Sequence, residues 1–282
     1  MMQPQLDFYD MGSGVVAFSS TRKGGCSEGN YGEFNINRYC GDNEAHICRN
    51  RELLCRQLGI GDDRLLMPHQ VHLTKTALID GAILKRTTEE RQQLLDGYDA
   101  LMTDIPGVCI GVSTADCIPL LLYDSEHRAV CAVHAGWRGT VARIAEQSVA
   151  AMTEAYGTRP SQLRAQIGPG ISLSSFEVGD EVYQAFSEAG FDMSTISKRF
   201  THHSIPDQWS PTRSLSLITS KWHIDLPECN RQQLMAVGVP AQAISVSGVC
   251  TYQQPDRYFS ARRLGIRSGR IFTGIMLREQ IQ

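Results

Sequence analysis

The chain has 282 residues, of which 42% are hydrophobic and 20% charged, and its formal net charge is -3. That length supports a large core, and these ordinary globular values exclude a disordered chain, a collagen-like repeat and a disulfide miniature scaffold. No basic run marks a nucleic-acid binder, so a small-molecule substrate is the default expectation.

At the N-terminus, Met1 to Asp7 lacks the basic-then-apolar pattern of a secretory signal. No apolar run reaches the roughly 18 residues of a membrane span. The expected location is the cytoplasm, with no membrane partner, and there most of the nine cysteines stay reduced and buried. Val15–Ser19 reads as a first strand and runs into the cationic glycine turn Arg22-Lys23-Gly24-Gly25. Asp42 or Asn43 can cap a helix that extends to about Leu58 and ends at Gly59. A strand-like segment over Leu65–Leu78 carries Gln70-Val71-His72, and residues 81–97 are polar, a short helix or a loop.

The most apolar part follows. Gly107–Val112, Ile118–Tyr123 and Ala129–Val133 are near-continuous apolar runs, as strands buried on both faces require. A helix is expected from Thr140 to about Tyr156, stopped by Gly157, then a strand at Ala165–Ile167 that ends in Gly168-Pro169-Gly170. Gly179–Glu188 and Pro227–Ala236 read as helices, each followed by a short strand, and residues 199–216 as a long polar loop. No linker divides residues 1–282, so the expected architecture is one mixed α/β domain.

Chemistry-bearing residues gather where these strands end. Cys117 lies between two apolar runs and His134 just beyond the next one, before Ala135-Gly136-Trp137-Arg138-Gly139; His72 sits in a strand-like segment. Two imidazoles and one thiolate suit zinc and leave a coordination position open for catalysis. Their spacing fits no zinc-finger pattern, and Cys117 with His134 as its base could equally be a nucleophile pair. The third reading is a buried small cysteine and two satisfied histidines; residue types and spacing leave all three open. Gly136 and Gly139 allow close backbone approach, and Arg138 beside free N–H groups at a helix start could hold phosphate or a carboxylate. A tight turn with Trp137 packed and Arg138 on the surface is the plainer alternative. With Arg22, Asn35 and Asp116, Arg138 and Gly139 make up the candidate substrate- and phosphate-binding residues. His69 is a spare candidate ligand, His202 and His203 are expected in solvent, and Cys250 is expected to pack.

Taken in order, Phe18–Gly25, Phe34-Asn35-Ile36-Asn37, Gly41-Asp42, Asn50-Arg51, Gln70-Val71-His72, Asp99–Thr103, Thr114-Ala115-Asp116-Cys117, Ala132–Thr140, Ile167–Gly170, Phe176–Gly179, Asp225-Leu226, Cys250-Thr251 and Phe259–Arg263 resemble the YfiH-like family. That family is also called the laccase-domain or multicopper polyphenol oxidase family. The resemblance covers nearly the whole chain. It implies a single-domain layered α/β sandwich with mixed sheets, and a zinc held by His72, Cys117 and His134. It implies phosphorolysis of adenosine and inosine by phosphate, cleavage of methylthioadenosine, and adenosine deamination. The older family names imply copper-dependent phenol oxidation, and editing of cell-wall precursors has also been tied to relatives. With eight histidines and no His-x-His pair, several copper centres are not expected here. Copper at the same three ligands remains an alternative to zinc because of its higher raw affinity. Gly170, where the family usually has Cys, and Ala261, where it usually has an aromatic, depart from the pattern. They bear on the pocket's finer preferences and not on the ligands.

Overall fold

A computed structural model describes residues 3–203 and 218–279. In chain order the elements are β1 (Leu6–Tyr9), β2 (Val15–Ser20), α1 (Glu44–Leu58), β3 (Leu65–Leu66), β4 (Thr76–Leu78), α2 (Gly81–Leu84), α3 (Thr88–Leu94), β5 (Ala100–Thr103), β6 (Cys109–Thr114), β7 (Ile118–Asp124) and β8 (Ala129–Ala135). Then come α4 (Trp137–Val141), α5 (Ile144–Tyr156), β9 (Leu163–Ile167), β10 (Glu177–Val178), α6 (Asp180–Glu188), α7 (Met193–Ile196), β11 (Ser197–His203), β12 (Ile218–Ile224), α8 (Leu226–Ala236), β13 (Ile244–Val246), α9 (Ala261–Leu264) and β14 (Ile271–Leu277).

Two mixed sheets form a sandwich. One has the order β1-β2-β14-β6-β3 and the other β13-β9-β7-β8-β5-β4, while β10-β12-β11 make a small third sheet. The alternation of side chains along each strand sets the layers. In β7, Leu121 and Tyr123 face the inter-sheet core with Val130 and Ala132 of β8, Ile110 and Val112 of β6, and Ile275 and Leu277 of β14. The intervening Ile118, Leu120 and Leu122, with Cys131 and Val133, face a second core under α5, α6 and α8. On the far side Phe18, Phe272 and Cys109 pack against Leu54 and Cys55 of α1. Strands covered on both faces explain the unbroken apolar runs in the sequence.

The Asn43 side chain caps α1 through the Ala45 N–H, and Gly59 closes it in the left-handed conformation at φ 71. Four expectations need correction. Leu65–Leu78 is not one strand: β3 and β4 are separated by a turn in which His72 adopts φ 63. The helix expected from Thr140 is two helices, α4 and α5, broken at Arg143, φ 65. Residues 199–203 are not loop but belong to β11, which pairs antiparallel with β12; the rest of that expected loop, and the His202 and His203 side chains, lie outside the described residues. The short strand expected directly after the first of the two later helices is preceded by α7.

Candidate metal centre

The site forms where the chain crosses between the two large sheets. Thr114 ends β6 in one sheet and Ile118 opens β7 in the other, so Cys117 sits at the end of the sandwich. Register then places its neighbours. Ile118 pairs with Ala135 and Pro119 with His134, which puts Gly136 opposite Cys117. Ala100 pairs with Val133, which brings Asp99 opposite His134. His134 shares parity with Val130 and Ala132, so its ring points between the sheets rather than toward the helices.

His72, Cys117 and His134 each offer a ligand atom, and these atoms lie within 4.8 Å of one another. The His72 and His134 rings meet edge to face at 4.7 Å between centroids. Gly136 leaves the room for this. A Cβ there would stand 2.9 Å from His72 Cδ2 and 3.1 Å from Cys117 Sγ. Among the described residues this is the group of His, Cys, Asp and Glu side chains that could hold a metal. One thiolate and two imidazoles fit zinc, and a three-ligand set keeps a position open.

Asp99, which sequence reasoning quoted without a role, organises the centre. It is fully buried. Its Oδ1 accepts from the His72 N–H at 2.9 Å and faces His134 Nδ1 at 2.8 Å. Its Oδ2 accepts from the Leu73 N–H at 2.7 Å and the Val71 N–H at 3.4 Å. An ionised buried carboxylate can only accept, so Nδ1 of His134 carries a proton and Nε2 is left for a ligand. The same carboxylate holds the His72 turn in its left-handed conformation, which an L-residue adopts only where its surroundings impose it. Burial opposes the charge on Asp99, yet the His134 imidazole and the loop N–H groups hold its pKa below the ordinary value.

Charge in the centre follows from proximity. Burial by itself would push the Cys117 thiol up, but His134 and His72 outweigh it and draw its pKa down to about 6. Burial would lower His134, but the Cys117 thiolate and Asp99 raise it to about 9. Each group thus favours the charged form of the other, and binding a cation displaces a proton from the pair.

The centre opens into a cavity of about 360 Å³ whose walls include Asn37, Tyr39, Thr114, Ile266 and Arg270. Gln70 holds the wall by pairing with the backbone of Ser113: its Nε2 donates to the carbonyl at 2.8 Å, and its Oε1 accepts from the N–H at 2.7 Å. His69 also lines the cavity, its Nδ1 on Asp96 at 2.6 Å and its ring stacked on Tyr39, but it does not belong to the group whose ligand atoms converge. Cys250 is buried, as expected.

The other candidate residues are placed away from direct chemistry. Arg22 donates to the carbonyls of Gly32 and Pro255 and lies over the Phe259 ring. Asn35 is fully buried and spent on Asp42, Asn37 and the Arg270 N–H. Asp116, at φ 91, accepts from the Thr251 hydroxyl and the Arg262 N–H, each at 2.7 Å, and so pins the crossover turn. Arg138 is exposed and stacked on Trp137, 4.3 Å from the ring centroid, outside the cavity walls. A Cβ at Gly139 would lie 3.0 Å from the Leu73 carbonyl, so this glycine lets α4 pack on the His72 turn. Gly170 packs behind Cys117, where a Cβ would lie 3.2 Å from its carbonyl.

Comparison with known proteins gives the family. A purine nucleoside phosphorylase of Bacteroides thetaiotaomicron is 46% identical over 94% of this chain and 92% of its own. The adenosine deaminase RL5, from an unknown prokaryotic organism, is 42% identical over 96% and 97%. The crystal structure of YlmD from Geobacillus stearothermophilus superposes with a TM-score of 0.81 at 29% identity, covering 96% of this chain and 94% of that one. Residues 16–278 match the family described as multi-copper polyphenol oxidoreductase laccase, and with the crossover and the His/Cys/His cluster inside that span, the chain belongs to this laccase-like family, which includes the YfiH and YlmD proteins.

Proposed function

We propose that the protein is a zinc-dependent purine nucleoside phosphorylase acting on adenosine and inosine, and on methylthioadenosine. The observation that carries the reading is the convergence of two imidazoles and one thiolate, braced by Asp99, at the wall of a cavity large enough for a nucleoside. The relatives named as purine nucleoside phosphorylase and adenosine deaminase, each matched over nearly its full length, support the substrate class. In the reaction, an oxygen of hydrogen phosphate bonds to the anomeric carbon as the bond to purine N9 breaks. The electron pair leaves with the purine, which takes the phosphate's proton, and ribose 1-phosphate remains.

His72, Cys117 and His134 would hold the zinc, which supplies Lewis acidity toward a substrate oxygen. The protein's own groups do the positioning. Asp99 fixes the His134 ring and the His72 turn, and the Tyr39 ring, stacked with His69 at 4.2 Å, offers an aromatic surface to a purine. Adenosine deamination at the same centre is the second reading, favoured by the 42% identical deaminase.

Two other readings carry less. Phenol oxidation by several coppers finds, among the described residues, the His72–Cys117–His134 group and no second one. A metal-free Cys117–His134 hydrolase, including one that edits cell-wall precursors, has its pair and its Asp99 support. It leaves His72, which completes the cluster, without a role. The test is hypoxanthine release from inosine with and without phosphate. Release that needs phosphate supports phosphorolysis, and equal release without it replaces phosphorolysis with hydrolysis.

A further inference from the structure

The cavity holds one feature that the metal centre does not use. Thr114 lines the cavity yet is 1% exposed, and its Oγ1 has no hydrogen-bond partner among the described residues. A buried hydroxyl left alone costs about 1–3 kcal/mol, so it signals a partner that arrives with a ligand. Thr114 pairs with Ile271 across the β6–β14 ladder, which puts Arg270 opposite Ala115, one residue further on, and both Thr114 and Arg270 line the cavity. Cys117 follows three residues later.

Arg270 supplies charge at that place. Its guanidinium is aimed by neutral acceptors: the Ser268 carbonyl at 2.6 Å and hydroxyl at 3.2 Å, the Gly269 carbonyl at 3.0 Å and the Ile266 carbonyl at 2.9 Å. Among the described residues lining this cavity there is no Asp or Glu, so no carboxylate in its walls cancels the charge. Carbonyls orient a guanidinium without neutralising it, and that suits recognition of a free oxyanion. Arg138, the cation that the sequence favours, is exposed over Trp137 on a helix of five residues.

We infer that Arg270 and Thr114 form the subsite for the oxyanion co-substrate, inorganic phosphate, with Arg270 providing charge and Thr114 donating a hydroxyl hydrogen bond. The assignment rests on the phosphorolytic reading above. Both residues line the same cavity as His72, Cys117 and His134, so phosphate bound there shares the cavity with the candidate metal ligands.

The test is steady-state phosphorolysis of inosine by zinc-loaded protein with inorganic phosphate titrated, in Arg270→Gln, Arg270→Lys, Thr114→Val, Thr114→Ser and Arg138→Gln. Thr114→Val and Arg270→Gln are expected to raise KM for phosphate roughly 10- to 100-fold, with zinc content and KM for inosine held. Thr114→Ser and Arg270→Lys should recover part of the loss, and Arg138→Gln should change nothing. Because Arg270 also ties down three carbonyls, its variants are read only where zinc content and melting temperature are kept; the nearly isosteric Thr114→Val decides otherwise. An unchanged KM for phosphate in Thr114→Val overturns the subsite while leaving phosphorolysis standing. A rise in KM confined to Arg138→Gln overturns it too. Phosphate-independent release by the unsubstituted protein overturns the phosphorolytic reading itself.

Discussion

At the scale of residues, the centre is three candidate ligands and one carboxylate. Cys117 is drawn toward the thiolate by two imidazoles against the effect of burial, and a thiolate is what zinc takes. Cys117→Ala should abolish zinc binding and turnover together; a variant that keeps its zinc and loses only turnover would make Cys117 a nucleophile instead. Asp99 acts one step back, through its bonds to His134 Nδ1 and to the N–H groups of residues 71–73. Asp99→Asn keeps the shape but turns an N–H donor toward groups that themselves donate. Zinc affinity, measured by chelator competition, should fall about 10- to 100-fold, and unchanged affinity would show that Asp99 only packs.

At the scale of elements, ligand geometry comes from strand ends and small residues. Gly136 opens α4 directly against the ligands, so Gly136→Ala forces a Cβ to within 2.9 Å of the His72 ring and 3.1 Å of the Cys117 sulfur. Activity should drop at least about tenfold with little change in melting temperature, since the clash lies at the cavity and not in either core. At the opposite end of the same strands Asp124 closes the β7–β8 turn, accepting from the Glu126 and His127 N–H groups and facing His127 Nδ1 at 2.8 Å. Burial raises its pKa, but the His127 imidazole and the Glu126 and His127 N–H groups outweigh it and hold it below the usual value. A depressed folded pKa means that Asp124 stabilises the fold above its unfolded value of about 3.9, and that this contribution is lost as pH falls through the folded pKa. Denaturant titrations should therefore show stability falling more steeply between about pH 5 and pH 3 in the parent than in Asp124→Asn; equal slopes would refute this.

The same elements show what a sequence can disclose. The runs at 107–112, 118–123 and 129–133 were legible as strands because both faces are covered, and apolar content alone reports that. Cys117 and His134 were legible as strand-end residues for the same reason. The His72 turn was not, because its N–H groups are satisfied by a side chain from the start of β5 rather than by a neighbouring strand. Periodicity carries no trace of such a partner. Arg143 hid the break between α4 and α5 likewise, since one residue at φ 65 leaves the apolar spacing on both sides intact. Thr114 and Arg270 are 156 residues apart in sequence and become neighbours only through the β6–β14 ladder.

At the scale of the molecule, two sheets share an inter-sheet core and each is backed by helices, and the crossover between them carries the site. No described helix is long and apolar enough to cross a membrane. We expect residues 1–282 to unfold as one domain, in a single calorimetric transition whose midpoint depends on metal. An ion that binds the folded chain at a thousand times its Kd adds about 4 kcal/mol of stability. Chelation should therefore lower the melting temperature, and restored zinc should raise it again; a midpoint indifferent to zinc would remove the metal from the account. The most direct measurement is zinc titration into metal-free protein, followed by phosphate-dependent release of hypoxanthine from inosine. Activity should rise from near zero to a plateau at about one zinc per chain. Full activity in the metal-free protein would contradict zinc dependence.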